Sequence, residues 1–262
     1  MLLAVGALVM ASAADAAFQT REAALAALEQ YSRLIDAAPR VAVFYTQRGD
    51  AYYALNDLNG AAADYSAAIR LDDRQDQAYF GRGMALGRLG LVDEGIADLD
   101  VYIERHPNDS VAYTKRGVRN IWRNRLADAE RDLTRAIELD PNNAEAHDDL
   151  GVVHARHQRL VLAARHFATA IRLDPGYQKA YHNLAISLYL RGRNPEALQV
   201  VDAGLQLDPD SRDSLLLKST VLEALGRLDE AKIIAERAEF LPERNWSEQS
   251  EIGVSTKQGE QK

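Results

Sequence analysis

The chain has no cysteine, so no disulfide, thiol nucleophile or lipid-modified cysteine is available to it. An exported form would be free rather than lipid-anchored, and a cysteine-free chain suits an oxidising compartment. Proline is scarce, at seven in 262 residues, which is compatible with an all-helical chain. Basic charge is also short: 31 Lys and Arg against 39 Asp and Glu leave a net charge of −8 and a pI near 5.3. The basic excess that phosphate contacts demand is missing, so no nucleic-acid partner is expected, and anionic membrane surfaces are poor partners too. Catalytic motifs are absent as well. Gly81, Gly83 and Gly87 fall within a helical pattern rather than at the strand-to-helix turn of a phosphate-binding loop. No nucleophile elbow occurs, and Asp72-Asp73 reads as a solvated turn. Neither an enzyme nor a cofactor is expected.

What the chain does have is a period. Gly49, Gly83, Gly117, Gly151, Ala185 and Ser219 follow one another at 34-residue steps without insertion. Four residues ahead of them stand Tyr45, Tyr79, Tyr113, His147, Tyr181 and Leu215. Twelve residues after them come Ala61, Gly95, Ala129, Ala163, Ala197 and Ala231. Four further on are Tyr65, Leu99, Leu133, Phe167, Val201 and Ala235, and Pro107, Pro141, Pro175 or Pro209 closes four of the repeats. Each repeat holds two apolar stretches at helical spacing. Small residues where two helices cross let the backbones approach, and the bulky residue four along fills the groove beside them. A single hairpin of this kind cannot bury its own stripe, so neighbours must stack.

This pattern resembles the tetratricopeptide repeat, a helix–turn–helix unit of 34 residues. The resemblance covers Ala42 to Asn245 and includes stretches such as Ile137-Glu-Leu-Asp-Pro141 and Gly226-Arg-Leu-Asp-Glu-Ala231. It implies an all-α, right-handed superhelical solenoid of six repeats, at 42–75, 76–109, 110–143, 144–177, 178–211 and 212–245. Residues 17–41 are expected to form an N-terminal capping helix, and 246–262 a polar, disordered tail in which Trp246, Ile252 and Val254 are isolated apolar residues. Residues 1–16 join a short apolar run to small residues before a cleavage point, as a signal peptide does, although no positive charge precedes the run. Export to a periplasm follows as the expectation, with no membrane insertion once the segment is cleaved. The alternative is an apolar capping segment on a cytoplasmic protein.

The family's groove lies along the first helices and carries over residue by residue. The resemblance implies a protein or peptide partner held in that concave groove by Tyr53, Phe80, Met84, Arg88, Lys115, Ile121, Trp122, Asp148, Asp149, Arg156, Lys179, His182, Asn183, Tyr189 and Leu216. The opposing reading is that the apolar members pack between adjacent first helices as ordinary core. Thr46 and Asp50 stand where some family members carry the Lys and Asn of a carboxylate clamp, so a chaperone-tail adaptor is disfavoured. His147, His154, His157 and His166 gather in the fourth repeat. Two of them take places filled by Tyr or Leu elsewhere, so they read as packing aromatics and no metal site is expected. The leading functional expectation is an interaction scaffold in an exported assembly. The alternative is a self-associating structural protein that meets its copy through Leu216 and Leu217.

Overall fold

The computed structural model describes residue 18 and residues 20–241. The expected signal segment and the tail from residue 246 lie outside the described residues. Among those residues the chain forms thirteen helices and no strand. They are α1 (Arg21–Ala37), α2 (Ala42–Ala54), α3 (Leu58–Leu71), α4 (Asp76–Arg88), α5 (Val92–Arg105), α6 (Ser110–Trp122) and α7 (Leu126–Leu139). There follow α8 (Ala144–Arg156), α9 (Leu160–Leu173), α10 (Gln178–Leu190), α11 (Asn194–Leu207), α12 (Arg212–Ala224) and α13 (Leu228–Glu239). After α1 the helices pair, the even-numbered helix opening each repeat and the odd-numbered one closing it.

One turn design joins each pair. Asn56, Gly90, Asn124, Gln158, Gly192 and Gly226 all adopt positive φ, between 55° and 85°. The next residue sends its N–H back to the carbonyl five residues earlier, as in Asp57 N to Tyr52 O and Arg227 N to Leu222 O, both 2.9 Å. That bond and the left-handed residue before it make a Schellman ending, which satisfies carbonyls the first helix would otherwise leave open. Between repeats the chain turns on a side chain. Asp140 Oδ1 accepts from Asn142 N and Asp174 Oδ1 from Gly176 N, each at 2.9 Å. Such aspartate turns initiate the bend without regular backbone pairing, and the repeat prolines lie within them.

Inside each hairpin the small position meets the bulky one sixteen residues on. A Cβ placed on Gly151 would stand 2.5 Å from the Phe167 ring, and the same pairing sets Gly49 against Tyr65 and Gly117 against Leu133. In the second repeat both crossing residues are glycine, and α4 and α5 approach backbone to backbone at Gly83 and Gly95. Tyr65, Leu99, Leu133 and Phe167 are all fully buried.

The chain divides into two compact units, residues 1–115 and 116–262. In the first, α1 packs on α2, α2 on α3, α3 on α4 and α4 on α5, with α2 also touching α4. Its core joins Tyr53, Tyr65, Phe80, Met84, Leu99 and Ile103. In the second, each helix from α7 to α13 packs on the next, and the opening helices α8, α10 and α12 touch in turn. Ile186, Leu188, Val201, Leu217 and Val221 form one of its cores. Among the described residues, no helix is long and apolar enough to cross a membrane.

A polar element runs through the first three repeats. Arg48 binds Asp64 through two hydrogen bonds of 2.6 and 2.9 Å, and Arg82 binds Asp98 with both at 2.7 Å. Arg116 binds Asp132 in the same way, at 3.0 and 2.6 Å. Arg48 also reaches Ser32 on α1, and Arg82 reaches Ser66 on α3, so these two arginines tie their hairpins to the helix before. Bidentate pairing of this kind adds direction to an otherwise apolar joint. The fourth and fifth repeats hold Leu150 with His166 and Leu184 with Val200 at the same places.

Candidate interaction face along the opening helices

The opening helices α8, α10 and α12 lie side by side in the second unit, each short and ending at its Schellman turn. Between α8 and α10 sits a buried charged cluster. Lys179 Nζ lies 3.4 Å from Asp148 Oδ2 and 3.5 Å from Asp149 Oδ1. Asn183 donates its amide to Asp148 Oδ1 at 3.0 Å, leaving its own fully buried Oδ1 without a hydrogen bond. The Lys179 side chain is 16% exposed, while those of Asp148 and Asp149 are 0% and 1% exposed. Burial works against the Lys179 charge, but Asp149 and Asp148 outweigh it and hold the ammonium protonated, above its usual range. Burial pushes the Asp148 carboxyl upward, with Lys179 and Asn183 opposing.

Between α10 and α12 the contacts are neutral. His182 Nδ1 lies 3.2 Å from Ser214 Oγ, and Ser211 donates to the same hydroxyl at 3.1 Å. Burial lowers the pKa of His182 to about 4, so its ring is uncharged at neutral pH. Toward α6, Arg156 Nη1 reaches the Ile121 carbonyl at 3.3 Å. Trp122 is half-buried under the Arg119 guanidinium, 5.0 Å from the ring centre.

In the first unit the corresponding face carries Arg88 over the Tyr53 ring at 5.4 Å, with Arg88 Nη2 donating to Asn56 Oδ1 at 2.8 Å. Beneath it Asp50 accepts from the Tyr65 hydroxyl at 2.8 Å. Burial raises the Asp50 pKa to about 6, against the Tyr65 hydrogen bond that lowers it.

The fifteen residues assigned to the groove from sequence thus separate into two layers. Tyr53, Phe80, Met84, Ile121, Asp148, Asp149, His182 and Asn183 are buried. They are a floor rather than free surface, because opening helices pack on one another and the side chains that face a neighbour are covered by it. Arg88, Lys115, Trp122, Arg156, Lys179, Tyr189 and Leu216 are half-buried, so part of each side chain stays accessible. Leu217 is also buried, within the core beside Val221, and so is not a surface for meeting a second copy. Sequence reasoning missed the Arg–Asp pairs, although arginine at 48, 82 and 116 and aspartate at 64, 98 and 132 keep the 34-residue step.

The histidines form a packed group around α8 and α9. The rings of His147 and His166 lie 5.4 Å apart, and those of His154 and His166 5.2 Å apart. Burial, followed by the neighbouring imidazoles, lowers the His166 pKa to about 4. Among the described residues, no group of three or more His, Asp or Glu side chains is arranged to hold a metal ion.

Helical hairpins of constant length, crossing at small residues and stacking through their opening helices, define an α-helical repeat protein. The chain belongs to the tetratricopeptide repeat superfamily. Family models described as TPR or tetratricopeptide repeat match residues 49–90, 77–109, 123–178 and 154–213, together more than half of the chain. A search of curated proteins finds no match. Solved structures of the same fold include YrrB, described as a TPR protein with an unusual peptide-binding site. It is 23% identical with a TM-score of 0.56, over 72% of this chain and 97% of that one. A tetratricopeptide repeat protein from Parabacteroides merdae gives 16% identity and a TM-score of 0.69, over 85% and 88% of the two chains. The APC/C hetero-tetramer Cut9–Hcn1 gives 18% and 0.68, over 82% of this chain and 46% of that one. At these identities the likeness is one of fold.

Proposed function

We propose that the protein is an interaction scaffold that holds an extended segment of a protein partner against its opening helices, and that it is not an enzyme. The observation that carries this reading is the layered face of the second unit. Arg156, Tyr189 and Leu216 stand half-buried on a face whose polar floor holds Lys179 shared by the buried carboxylates of Asp148 and Asp149. A buried ion pair is seldom the cheapest way to hold two helices together, since well-packed apolar residues often do as well or better. Its presence at the joint of α8 and α10 favours a role in fixing the geometry of the side chains above it. Tyrosine and arginine are enriched among the residues that dominate binding energy, and an aliphatic neighbour supplies the anchor's seat. The printed description of YrrB as peptide-binding agrees with this reading. The apolar opening of the chain supports an exported setting, which N-terminal sequencing of the protein recovered from its cellular compartment tests.

The test is selection from a displayed library of random peptides, with the wild-type chain and a Tyr189→Ala/Leu216→Ala variant as baits. Wild type should enrich related sequences that the variant retains poorly while keeping its helical circular dichroism. Equal enrichment by both, or none by wild type, would remove this face as the binding site.

A further inference from the structure

The outward face of the last helix departs from the rule the other repeats keep. At one exposed position the earlier closing helices carry Ala63, Ala97, Arg131, Arg165 and Gln199; α13 carries Ile233, 65% exposed. At another they carry Arg70, Glu104, Glu138, Arg172 and Gln206; the residue that caps the C-terminus of α13 is Phe240, 88% exposed. Residues seven apart lie on one side of a helix, so the two form a stripe. Arg237 lies between them in sequence and is pinned at 2.9 Å to both the Pro209 carbonyl and Asp210. Two large apolar side chains thus appear on one side of the helix end where five repeats have small or polar ones.

We propose that the stripe is the seat of the chain's own C-terminal segment, residues 242–262, with Trp246 as its anchor. Trp246 follows Phe240 by six residues, within easy reach of Ile233, which lies two helical turns back. It is the largest of the three isolated apolar side chains there, with Ile252 and Val254. A tether this short gives an effective concentration in the millimolar range, above what a second copy offers in solution. The two large side chains lie on the outward side, at places that stay exposed in the earlier closing helices even though a following repeat is stacked there. A docked indole would lie beside the Arg237 guanidinium, whose charge favours an aromatic face.

Subtracting the fluorescence of Trp246→Phe from that of the wild-type chain isolates the emission of Trp246 without disturbing Trp122. Docking predicts emission at shorter wavelength, and acrylamide quenching several-fold weaker, than in a synthetic peptide of residues 242–262. Ile233→Ser with Phe240→Ser, placed in both chains, should return both values to those of the peptide. Peptide-like values in the wild-type chain would overturn the proposal, as would a blue shift that survives the double change. A shift that vanishes on dilution together with a falling mass in light scattering would assign the stripe to a second copy and equally overturn it.

Discussion

Replacing Gly95 by Ala measures how closely the second hairpin is packed. In an exposed helix this change stabilises by about 1 kcal/mol, because glycine is the poorer helix former. At this crossing the new Cβ would stand 2.8 Å from the Gly83 carbonyl oxygen and 3.0 Å from the Gly87 nitrogen. Both obstacles are backbone, so no rotamer change relieves them and α4 and α5 must move apart. Overpacking of a filled core costs about 1–3 kcal/mol, and a backbone obstacle belongs at the upper end of that range. Separation also loosens Leu99, whose Cγ would lie 3.1 Å from a Cβ on Gly83. After the propensity gain is subtracted, the expected net loss is about 1–2 kcal/mol. A repeat array need not unfold in a single step, so the assay is native-state hydrogen exchange. Amides of α4 and α5 should lose protection first, while Gly176→Ala, at an exposed inter-repeat turn, leaves them unchanged. A Gly95→Ala chain with equal or greater protection in α4 and α5 would refute the close approach.

Gln158 alone among the six left-handed turn residues is neither Asn nor Gly. Gln158→Gly should raise stability by up to about 1 kcal/mol in thermal unfolding, the strain relieved exceeding the backbone entropy added. Asp98→Ala leaves Arg82 with Ser66 as its remaining partner across the joint and should cost about 2 kcal/mol, as loss of a hydrogen bond to a charged group does. The double change Arg82→Leu/Asp98→Val, which copies the pair at Leu184 and Val200, should recover most of that loss in urea titration. Acid should act with opposite sign through His166 and His182 in the second unit and through Asp50 in the first. His166 and His182 titrate near 6.5 when unfolded but at about 4 when folded, so their contribution is complete above pH 6.5 and is lost as pH falls toward 4. Asp50, raised to about 6, binds its proton more tightly folded than unfolded and adds stability over the same interval. Hydrogen exchange at pH 4.5 and 7 should show α8 to α10 losing protection at the lower pH while α2 and α3 keep theirs.

The hairpins were readable because their register depends on side-chain size, which composition reports directly. Gly151 requires a neighbour that fills its groove, and Phe167 sixteen residues on is that neighbour. The turn was less readable. Its left-handed residue is Gly in three repeats, Asn in two and Gln in one, so no single letter marks it, whereas the hydrogen bond back to the first helix is the same in all six. The interaction face was readable in position but not in depth. Asp148 and Arg156 both stand at first-helix positions that the family turns toward its groove. Only the packing of α10 on α8 decides that the carboxylate is enclosed by Lys179 and Asn183 while the guanidinium stays half open. A period identifies which side chains face a neighbouring helix; the distance to that neighbour is a property of the assembled stack.

The uniform turn makes the repeats modular. Each junction within a hairpin presents the same backbone ending, and no repeat is longer or shorter than its fellows. Removing residues 178–211 would splice one inter-repeat bend onto another of like geometry, shortening the stack by a whole module and leaving every remaining hairpin intact. Removal of one residue fewer would instead rotate every later helix by about 100° about its axis and turn its apolar stripe away from the helix before it. The length of this protein is therefore adjustable, but only in steps of 34 residues.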